Sequence, residues 1–369
     1  MGSANLTPAC AVAMNWSITE DLNHVLDHTE PLWPELRGER LFITGGTGFF
    51  GRWLLESFAW ANRRLNLDAE VLVLTRDAAA IRRNAPHLAG NPAIRFWAGD
   101  VRDFKFPEGD FSHIIHAATT SAVATFNNED PLAKFETVAL GTRRTLEFAR
   151  QCGTRKFLMT SSGSVYGAQP GDARLLPEEH SGAPDPANPE AAALGEGKRA
   201  AEFYCAAYAK KFGIETKIAR CFSFVGPYLQ MDIHYAIGNF IRNAVRGVPI
   251  RVNGDGTPLR SYLYASDLII WLWTLLFRGR SGCVYNVGSE EEISIGQLAH
   301  LVAQCTGSRV EVQIATKPAQ DQQPDRYVPD TRRIRADLDL RQTVALREAI
   351  QKTAGWYCRT SQDGSQISH

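Results

Sequence analysis

Residues 41–51 read LFITGGTGFFG, and this stretch decides how the rest of the chain is interpreted. Three apolar residues predict a short buried strand, and the glycines after them predict a sharp turn. The run RWLLESFAW at 52–60 has helical spacing, with Leu54, Leu55 and Phe58 on the inward face. Such a turn lets a pyrophosphate approach the backbone, where the first N–H groups and the dipole of the helix bind it.

The glycine turn therefore predicts a dinucleotide site, with a tight turn that binds nothing as the alternative. A lone glycine motif is a weak signal, but this one lies between a strand and a helix. The residues expected to contact the dinucleotide here are Gly45, Thr47, Gly48, Phe49, Phe50 and Gly51.

Composition excludes several classes of partner. The 369 residues include 40 acidic and 40 basic side chains, so charge gives no argument for nucleic acid or an anionic membrane as partner. Seven scattered cysteines without a CxxC pair predict no disulfide framework, no metal site and a cytoplasmic location. The longest apolar run, 268–277, is about half of the ~20 residues that a membrane span needs, and it predicts a buried helix.

Strand and helix patterns alternate along the chain. A capping pattern at 17–20 predicts a first helix over 19–28 that packs outside the sheet. Strands are expected at 41–43, 70–74, 94–97, 112–117, 156–160 and 215–220, and helices at 136–151 and 197–212. Shorter elements follow, with helices at 237–246 and 266–278 and strands at 250–252 and 284–287.

This alternation predicts an α/β fold of the Rossmann type. It has a doubly wound parallel sheet and a smaller C-terminal substrate-binding lobe. The expected divisions are an N-terminal arm with one helix (1–38), an NAD(P)-binding domain (39–226), mainly the substrate-binding lobe (227–358) and a disordered tail (359–369).

The strand at 70–74 ends in Thr75 and Arg76, where an acidic side chain would bind a ribose 2′-hydroxyl. The guanidinium instead suits a phosphate and favours NADP over NAD. In the alternative, Arg76 lies in solvent and Thr75 contacts the ribose of NAD. Further on, Asp100 is expected to accept a bond from the adenine amino group while Val101 packs on the ring. His116 is interpreted as a core histidine, and Ala117 and Ala118 as backbone beneath the cofactor.

Seven motifs carry a resemblance to a known family. They are TGGTGFFG, AGDVRD, IIHAAT, SSGSVYG, GEGKRAAE, RCFSFVGP and RSYLYASDL, in this order. Together they are similar to the extended short-chain dehydrogenase/reductase family, within it to the nucleotide-sugar epimerases and dehydratases. The resemblance extends from Arg40 to Tyr357 and implies that the partner is a nucleotide-diphosphate sugar.

The resemblance also implies an active site. Ser162 matches the family's Ser/Thr, which would hydrogen-bond the sugar oxygen. Lys198 matches the lysine of Tyr-x-x-x-Lys, which would hold the nicotinamide ribose and lower the pKa of the tyrosine. The tyrosine itself is replaced by Leu194, which cannot accept a proton. Tyr204 and Tyr208 are expected to point elsewhere.

Three explanations of Leu194 remain open. It is an inactivating substitution, another group replaces the tyrosine, or the protein binds its ligands without turnover as a silent sensor or scaffold. The candidate replacements are Ser162 polarised by Lys198, Ser164, Glu196 and a group of the substrate. In each case the turn, Ser162 and Lys198 would still bind NAD(P) and a nucleotide sugar.

A second departure bears on the reaction. The 4,6-dehydratases of this family carry an Asp-Glu pair after the Ser/Thr, where Gly163 and Ser164 stand here, and the uronate decarboxylases usually keep the Glu. A C4 epimerase needs neither carboxylate, only hydride removal, rotation of the 4-keto sugar and hydride return. The departures favour a C4 epimerase, with a 4,6-dehydratase, a decarboxylase or a 4-ketoreductase as alternatives.

The resemblance implies further contacts and a homodimer. Cys221 would flank the nicotinamide, and the substrate would contact Thr119, Ser223, Asn239 and Arg260, the last of these at its diphosphate. Asp267 is expected to cap the helix that follows it. The helices at 136–151 and 197–212 resemble the pair that forms a four-helix interface in family dimers.

Overall fold

The computed structural model describes residues 17–120, 129–232, 235–307, 309–318 and 323–362. The first helix, α1, is Ile18–Thr29, and it begins where the Ser17 hydroxyl accepts a hydrogen bond from the Thr19 N–H at 3.2 Å. A 3-10 helix, Glu30–Leu36, follows and buries Trp33, whose ring contacts Trp273 at 4.6 Å between centroids. The first helix buries Leu22 and Val25 in the apolar cluster on one face of the sheet, so it packs outside the sheet, as predicted.

Seven parallel strands form the central sheet. In chain order they are β1 (Arg40–Thr44), β2 (Glu70–Thr75), β3 (Ile94–Ala98), β4 (His113–His116), β5 (Lys156–Ser162), β6 (Glu215–Cys221) and, from much later in the chain, β11 (Val284–Val287). Their spatial order is β11-β6-β5-β4-β1-β2-β3. This order reverses between β1 and β4, as in a doubly wound Rossmann sheet, and the predicted fold class is confirmed.

Both faces of this sheet are buried because successive side chains of a strand point to opposite sides. Leu41 and Ile43 join one apolar cluster, which includes Leu54, Leu55 and Phe58 of the predicted inward face. Phe42 joins the other cluster. The first face is covered by α2 (Phe49–Leu65), α3 (Ala78–Asn84), α4 (Pro86–Ala89) and α8 (Ala265–Arg278), and the second by α5 (Pro131–Gln151) and α6 (Pro189–Phe212).

Smaller elements form a second lobe with its own apolar cluster. They are β7 (Phe224–Val225), α7 (Ala236–Val245), β8 (Ile250–Val252), β9 (Leu259–Arg260), β10 (Leu263–Tyr264), β12 (Ile293–Ser294), α9 (Ile295–Cys305), β13 (Val312–Ile314), β14 (Arg326–Tyr327) and α11 (Leu346–Gln362). Helix α10 (Arg332–Leu338) packs near β11. Part of the chain after 226 belongs to the larger domain. Helix α8 packs on one face of the central sheet, and β11 pairs with β6.

Three local expectations are corrected by the structure. Asp267 does not cap α8, because the N-cap residue of this helix is Tyr264. The buried Asp267 carboxylate instead accepts hydrogen bonds from the N–H groups of Thr343 and Val344 at 3.0 Å. Helix α11 continues to Gln362, so the predicted tail does not begin at 359, and residues 363–369 lie outside the described ranges. Among the cysteines, Cys358 is disulfide-bonded, contrary to the expectation of none.

Within the described ranges, no helix has the length and hydropathy needed to cross a bilayer. The predicted buried helix is α8, whose residues 268–277 are all buried. The same ranges contain no cluster of three or more metal-ligating side chains.

Candidate active site

The carboxyl ends of the central strands bring the predicted site residues to one edge of the sheet. Thr44 pairs with His116 between β1 and β4, and Ser162 pairs with Cys221 between β5 and β6. Because all the strands are parallel, the loops after β1, β2, β4, β5 and β6 open at the same edge. In an open α/β sheet this edge is where ligands bind.

The glycine turn after β1 is pressed against the end of β4. Gly45 has φ +73°, and a Cβ there would lie 2.5 Å from the Ala117 carbonyl oxygen. The Ala118 N–H donates to the Thr44 hydroxyl at 3.2 Å, which fixes the two strand ends together. The small residues predicted beneath the cofactor therefore lie directly beside the turn.

Helix α2 begins at the turn with its first N–H groups free to meet an anion. Gly48 precedes it in an extended conformation, and Thr47 and Gly48 are exposed. A Cβ at Gly48 would have no neighbour closer than 3.7 Å, so the space above the helix start is open. This cradle fits a dinucleotide pyrophosphate, and Phe49 and Phe50 form the first turn of the helix beside it.

The adenosine side of the edge contains the predicted residues after β2 and β3. The Thr75 hydroxyl accepts the Asp77 N–H at 3.2 Å, and Arg76 is exposed. Asp100 is already engaged by Arg102, whose Nε donates to it at 2.9 Å, and this guanidinium lowers the pKa of the carboxyl. Val101 is buried against α5. The adenine contact expected of Asp100 stays a prediction, since a bound base would have to share the carboxylate with Arg102.

Ser162 ends β5 and starts a short 3-10 helix, Gly163–Tyr166. Its hydroxyl accepts the Ser164 N–H at 3.1 Å and thereby remains at the strand end. The Ser164 hydroxyl is buried and has no hydrogen-bond partner within the described part of the chain. An unpaired buried hydroxyl is costly, so Ser164 is a group for which a bound ligand would supply the missing partner.

Lys198 projects from α6 to the underside of the same strand end. Its side chain is buried, and Nζ donates to the Thr160 carbonyl at 2.6 Å, two residues before Ser162. Burial lowers the pKa of Lys198 to about 8, because a low-dielectric interior disfavours the ammonium. The structure thus brings Ser162 and Lys198 to one strand end, as the resemblance implies.

Leu194 lies one helical turn before Lys198 and is half-buried against the apolar cluster that includes Ala118. Helix α6 approaches the 3-10 helix closely here, since a Cβ at Gly195 would lie 2.6 Å from the Ser164 carbonyl oxygen. Position 194 therefore lies beside the candidate site, as its sequence spacing predicts, but it contributes no polar atom. Glu196 forms an ion pair with Arg199 at 3.7 Å.

Three further titratable side chains in this part of the fold have structural partners. His116 is a core histidine, as interpreted: its ring nitrogens contact the hydroxyls of Thr44 and Thr142 at 2.8 and 2.9 Å. Burial lowers its pKa to about 3. The Tyr166 hydroxyl donates to Asn286 at 2.7 Å, and the Tyr208 hydroxyl donates to Glu147 at 3.2 Å. Both phenols are therefore engaged in structural hydrogen bonds.

One phenol near Ser162 was missed by sequence reasoning. The phenol of Tyr327 in β14 lies at the end of β5, beside the residue that follows Ser162, and its ring packs on Phe222 at 4.6 Å between centroids. A Cβ at Gly163 would lie 2.5 Å from the Tyr327 hydroxyl. No motif singles out this tyrosine, since nothing in the run DRYVPD at 325–330 relates it to a serine in a distant strand.

The residues expected to bind substrate lie after β4, after β6, on α7 and on β9. Thr119 is exposed after β4, and the Ser223 carbonyl accepts the Leu263 N–H at 3.0 Å. On α7, the Asn239 amide donates to the Tyr235 carbonyl at 3.2 Å. Arg260 forms an ion pair with Asp325 at 2.6 Å, so a bound diphosphate would compete with that carboxylate.

Residues 41–288 match the NAD dependent epimerase/dehydratase family, over more than half of the chain. The chain belongs to this family. Curated relatives of this chain include enzymes named for their action on a nucleotide sugar. UDP-glucuronic acid decarboxylase 1 of Xenopus tropicalis is 33% identical over 86% of this chain and 72% of its own length. The same enzyme of Danio rerio is 32% identical over 87% of this chain and 73% of its own length.

Solved structures of epimerases and dehydratases share the fold of this family member. A UDP-glucose 4-epimerase of Thermotoga maritima, crystallised with UDP-glucose, has a TM-score of 0.72 and 20% identity, over 87% of this chain and 99% of its own. A dTDP-glucose 4,6-dehydratase of Bacillus anthracis in complex with NAD has a TM-score of 0.71 and 20% identity, over 88% and 98%. At these identities the structures support the fold alone.

Proposed function

We propose that this protein uses NAD to oxidise the C4 hydroxyl of a nucleotide-diphosphate sugar and then returns the hydride to the keto sugar. The observation that carries the proposal is the meeting of Ser162 and Lys198 at one strand end, on the edge that also carries the glycine turn. NAD accepts the hydride when it is bound. The chain's own residues orient the sugar, hold the cofactor and move the proton.

Each residue has a distinct part in this chemistry. The Ser162 hydroxyl hydrogen-bonds the sugar oxygen, whose polarity increases as the C–H bond breaks. The Lys198 ammonium binds the cofactor ribose, and its positive charge favours the anionic form of a nearby proton acceptor. The N-terminus of α2 holds the pyrophosphate. Arg260 binds the sugar-nucleotide diphosphate in place of Asp325.

Among the possible products, we propose a C4 epimer. Gly163 and Ser164 supply no carboxylate at the positions where the 4,6-dehydratases have an acid and a base. Epimerisation needs only that the 4-keto sugar rotates in the site between hydride removal and hydride return, so that the hydride is returned to the opposite face of C4. A site without acidic side chains near C5 and C6 can complete that cycle, whereas water elimination would lack its acid.

Decarboxylation of a sugar uronate is the second candidate. The observation that favours it is the 33% identity with a UDP-glucuronic acid decarboxylase. A 4-keto uronate is a β-keto acid, and it loses carbon dioxide without a carboxylate side chain to protonate a leaving group. The replacement of the Glu by Ser164 is therefore compatible with this reaction as well.

Product analysis separates these reactions. Purified protein is incubated with NAD+ and, separately, with UDP-glucose, UDP-glucuronate and dTDP-glucose, and the products are analysed by mass spectrometry and NMR. An epimer of unchanged mass supports the lead proposal, and loss of carbon dioxide from UDP-glucuronate supports the second. Net consumption of NADPH, supplied in a parallel incubation in place of NAD+, would indicate a ketoreductase. If neither the wild type nor Leu194→Tyr forms a product from any of the three sugar nucleotides, the protein would be interpreted as a catalytically silent binding protein.

Arg76 offers a test of cofactor choice. We expect Arg76→Ala to weaken NADP+ binding about tenfold and to leave NAD+ binding unchanged, because only the 2′-phosphate would accept a charged hydrogen bond from the guanidinium. Fluorescence titration with each dinucleotide measures both constants. Arg82→Ala, which removes another exposed arginine from α3, serves as the matched control. If Arg76→Ala binds NADP+ as tightly as the wild type does, the alternative is favoured, in which Arg76 lies in solvent and Thr75 contacts the ribose of NAD.

We propose that the protein is a homodimer through α5 and α6. These helices expose Leu132 (71% exposed) and Phe203 (69%), which is unusual for large apolar side chains unless another surface covers them. Light scattering should report a dimer for the wild type and a shift toward the monomer for Leu132→Glu and Phe203→Glu. Val248→Glu, at an exposed apolar site in the other lobe, should remain dimeric. A monomeric wild type at micromolar concentration would contradict the proposal.

A further inference from the structure

Tyr327 belongs to the smaller lobe, yet its phenol reaches the end of β5 in the central sheet. Strand β14 pairs with β9, and this pairing places Tyr327 opposite Arg260. The ring is held on its other side by Phe222, which follows β6. The phenol is therefore positioned from both lobes, and its hydroxyl lies beside Gly163, the residue directly after the Ser162 that is expected to bind the reacting oxygen.

Two departures from the family pattern are explained together by this position of the phenol. Leu194 removes the phenol that α6 would supply, so position 194 has no group that can exchange a proton. Gly163 leaves space for the phenol that β14 supplies, because any Cβ at 163 would lie 2.5 Å from the Tyr327 hydroxyl and 2.8 Å from Cζ. An aspartate at 163 would require Tyr327 to move away from Ser162.

We propose that Tyr327 exchanges the proton of the reacting sugar hydroxyl, the task that the tyrosine at position 194 would perform. In the oxidation, the sugar O–H bond breaks and its proton goes to the Tyr327 phenolate, while the electron pair of the C4–H bond leaves as hydride to NAD+. In the reduction, the phenol returns its proton to the carbonyl oxygen as the hydride returns to C4. This inference rests on the proposed redox step at C4.

The surroundings of Tyr327 suit this exchange. Burial raises the pKa of the phenol, while the Ser162 hydroxyl and the Arg260 guanidinium act in the opposite direction. The Cys221 thiol and Tyr166 are the other titratable groups that face it. Without cofactor the phenol is therefore protonated at neutral pH, the form that donates. A cationic nicotinamide close to it would favour the phenolate, the form that accepts.

Removal of the hydroxyl tests the exchange in turnover. Tyr327→Phe keeps the ring on Phe222, and we expect kcat to fall by about a hundred- to ten-thousand-fold with either UDP-glucose or UDP-glucuronate, whichever the wild type converts. Tyr204→Phe, which removes a phenol from α6 instead, should keep the wild-type rate. Adding Leu194→Tyr to Tyr327→Phe should restore at least about tenfold, since the phenol returns from the helix. Full activity in Tyr327→Phe, or no gain in the double variant, would overturn the inference.

A second measurement needs no sugar substrate. The ultraviolet difference spectrum of phenolate is titrated with pH, with and without NAD+, in the wild type, Tyr327→Phe and Tyr204→Phe. We expect NAD+ to lower the pKa of one phenol in the wild type and in Tyr204→Phe, and of none in Tyr327→Phe. The same shift in all three proteins would overturn the inference. If the wild type converts no sugar, the proposed function fails by itself, and this titration still decides the role of Tyr327.

Gly163→Ala provides a variant that keeps every phenol. Its Cβ would force the Tyr327 hydroxyl away from Ser162, so we expect kcat to fall with NAD+ affinity retained. If Tyr327→Phe does not fold, as circular dichroism would reveal, this variant gives the result in its place. Wild-type kcat in Gly163→Ala would contradict the inference.

Discussion

Lys198→Met is expected to reduce turnover by about a hundred- to ten-thousand-fold while making the unliganded protein more stable at neutral pH. The loss of turnover follows from the loss of the ammonium that would bind the cofactor ribose and favour the anionic proton acceptor. The gain in stability follows from burial: lowering the pKa of Lys198 from 10.5 to about 8 corresponds to about 3 kcal/mol at neutral pH.

The pH dependence of this stability difference has a definite sign. Below about pH 8 the folded protein carries the full cost of a buried ammonium. Between about pH 8 and 10.5 the unfolded chain binds more protons than the folded chain, so the wild type gains stability as pH rises. The advantage of Lys198→Met over the wild type should therefore be largest near pH 7 and shrink toward pH 10.5. Urea unfolding at pH 7 and pH 10 measures it.

A second buried lysine supplies the control. Lys217 lies near the amino end of β6, with its Nζ bound to Glu215 at 2.6 Å. Lys217→Met removes a buried ammonium from the central sheet itself, at the edge opposite to Ser162. It should keep the wild-type kcat. Unchanged turnover in Lys198→Met would contradict the proposed active site, and equal losses in both variants would indicate a general effect on the fold.

Gly51→Ala is expected to abolish measurable dinucleotide binding and to lower the free energy of unfolding by at least about 1–3 kcal/mol. A Cβ at position 51 would lie 2.3 Å from the Gly45 carbonyl oxygen and 2.3 Å from the Gly46 Cα. These are backbone atoms of the turn, which cannot rotate away as a flexible side chain can. Helix α2 would have to separate from the turn, and the N–H groups that hold the pyrophosphate would lose their positions.

Binding and stability are measured separately for this variant. Calorimetric titration with NAD+ reports binding, and thermal unfolding without ligand reports stability. Gly254→Ala is the matched control, because a Cβ there has no neighbour within 4 Å and the glycine does not adopt a positive φ. It should behave as the wild type in both assays. If Gly51→Ala binds NAD+ as tightly as the wild type does, the assignment of this turn to the pyrophosphate is wrong.

The element bounds show where local sequence is sufficient. Strands β8 and β11 have the predicted bounds, because a turn-forming residue, Asn253 or Gly288, directly follows each of them. Helix α6 begins at Pro189, eight residues before the predicted start at 197. Its cap is Asn188, followed by proline at the first position, but this start lies at the end of a loop rich in proline and glycine. The glycines at 195 and 197 permit close packing on Ser164 and α5.

The sequence by itself determined the Rossmann sheet, the glycine turn after β1, the family and the places of Ser162, Lys198 and Leu194. Each of these depends on residues close together in the chain, whose spacing decides which side chains share a strand end or a helix face. Only the tertiary structure decided that the Tyr327 phenol lies beside Gly163 and Ser162 and that Asp325 forms an ion pair with Arg260. The contacts of Tyr327 and Asp325 with the site arise from the pairing of β9 with β14 and from the packing of two lobes. Side chains brought together by such packing leave no periodic signal in the chain.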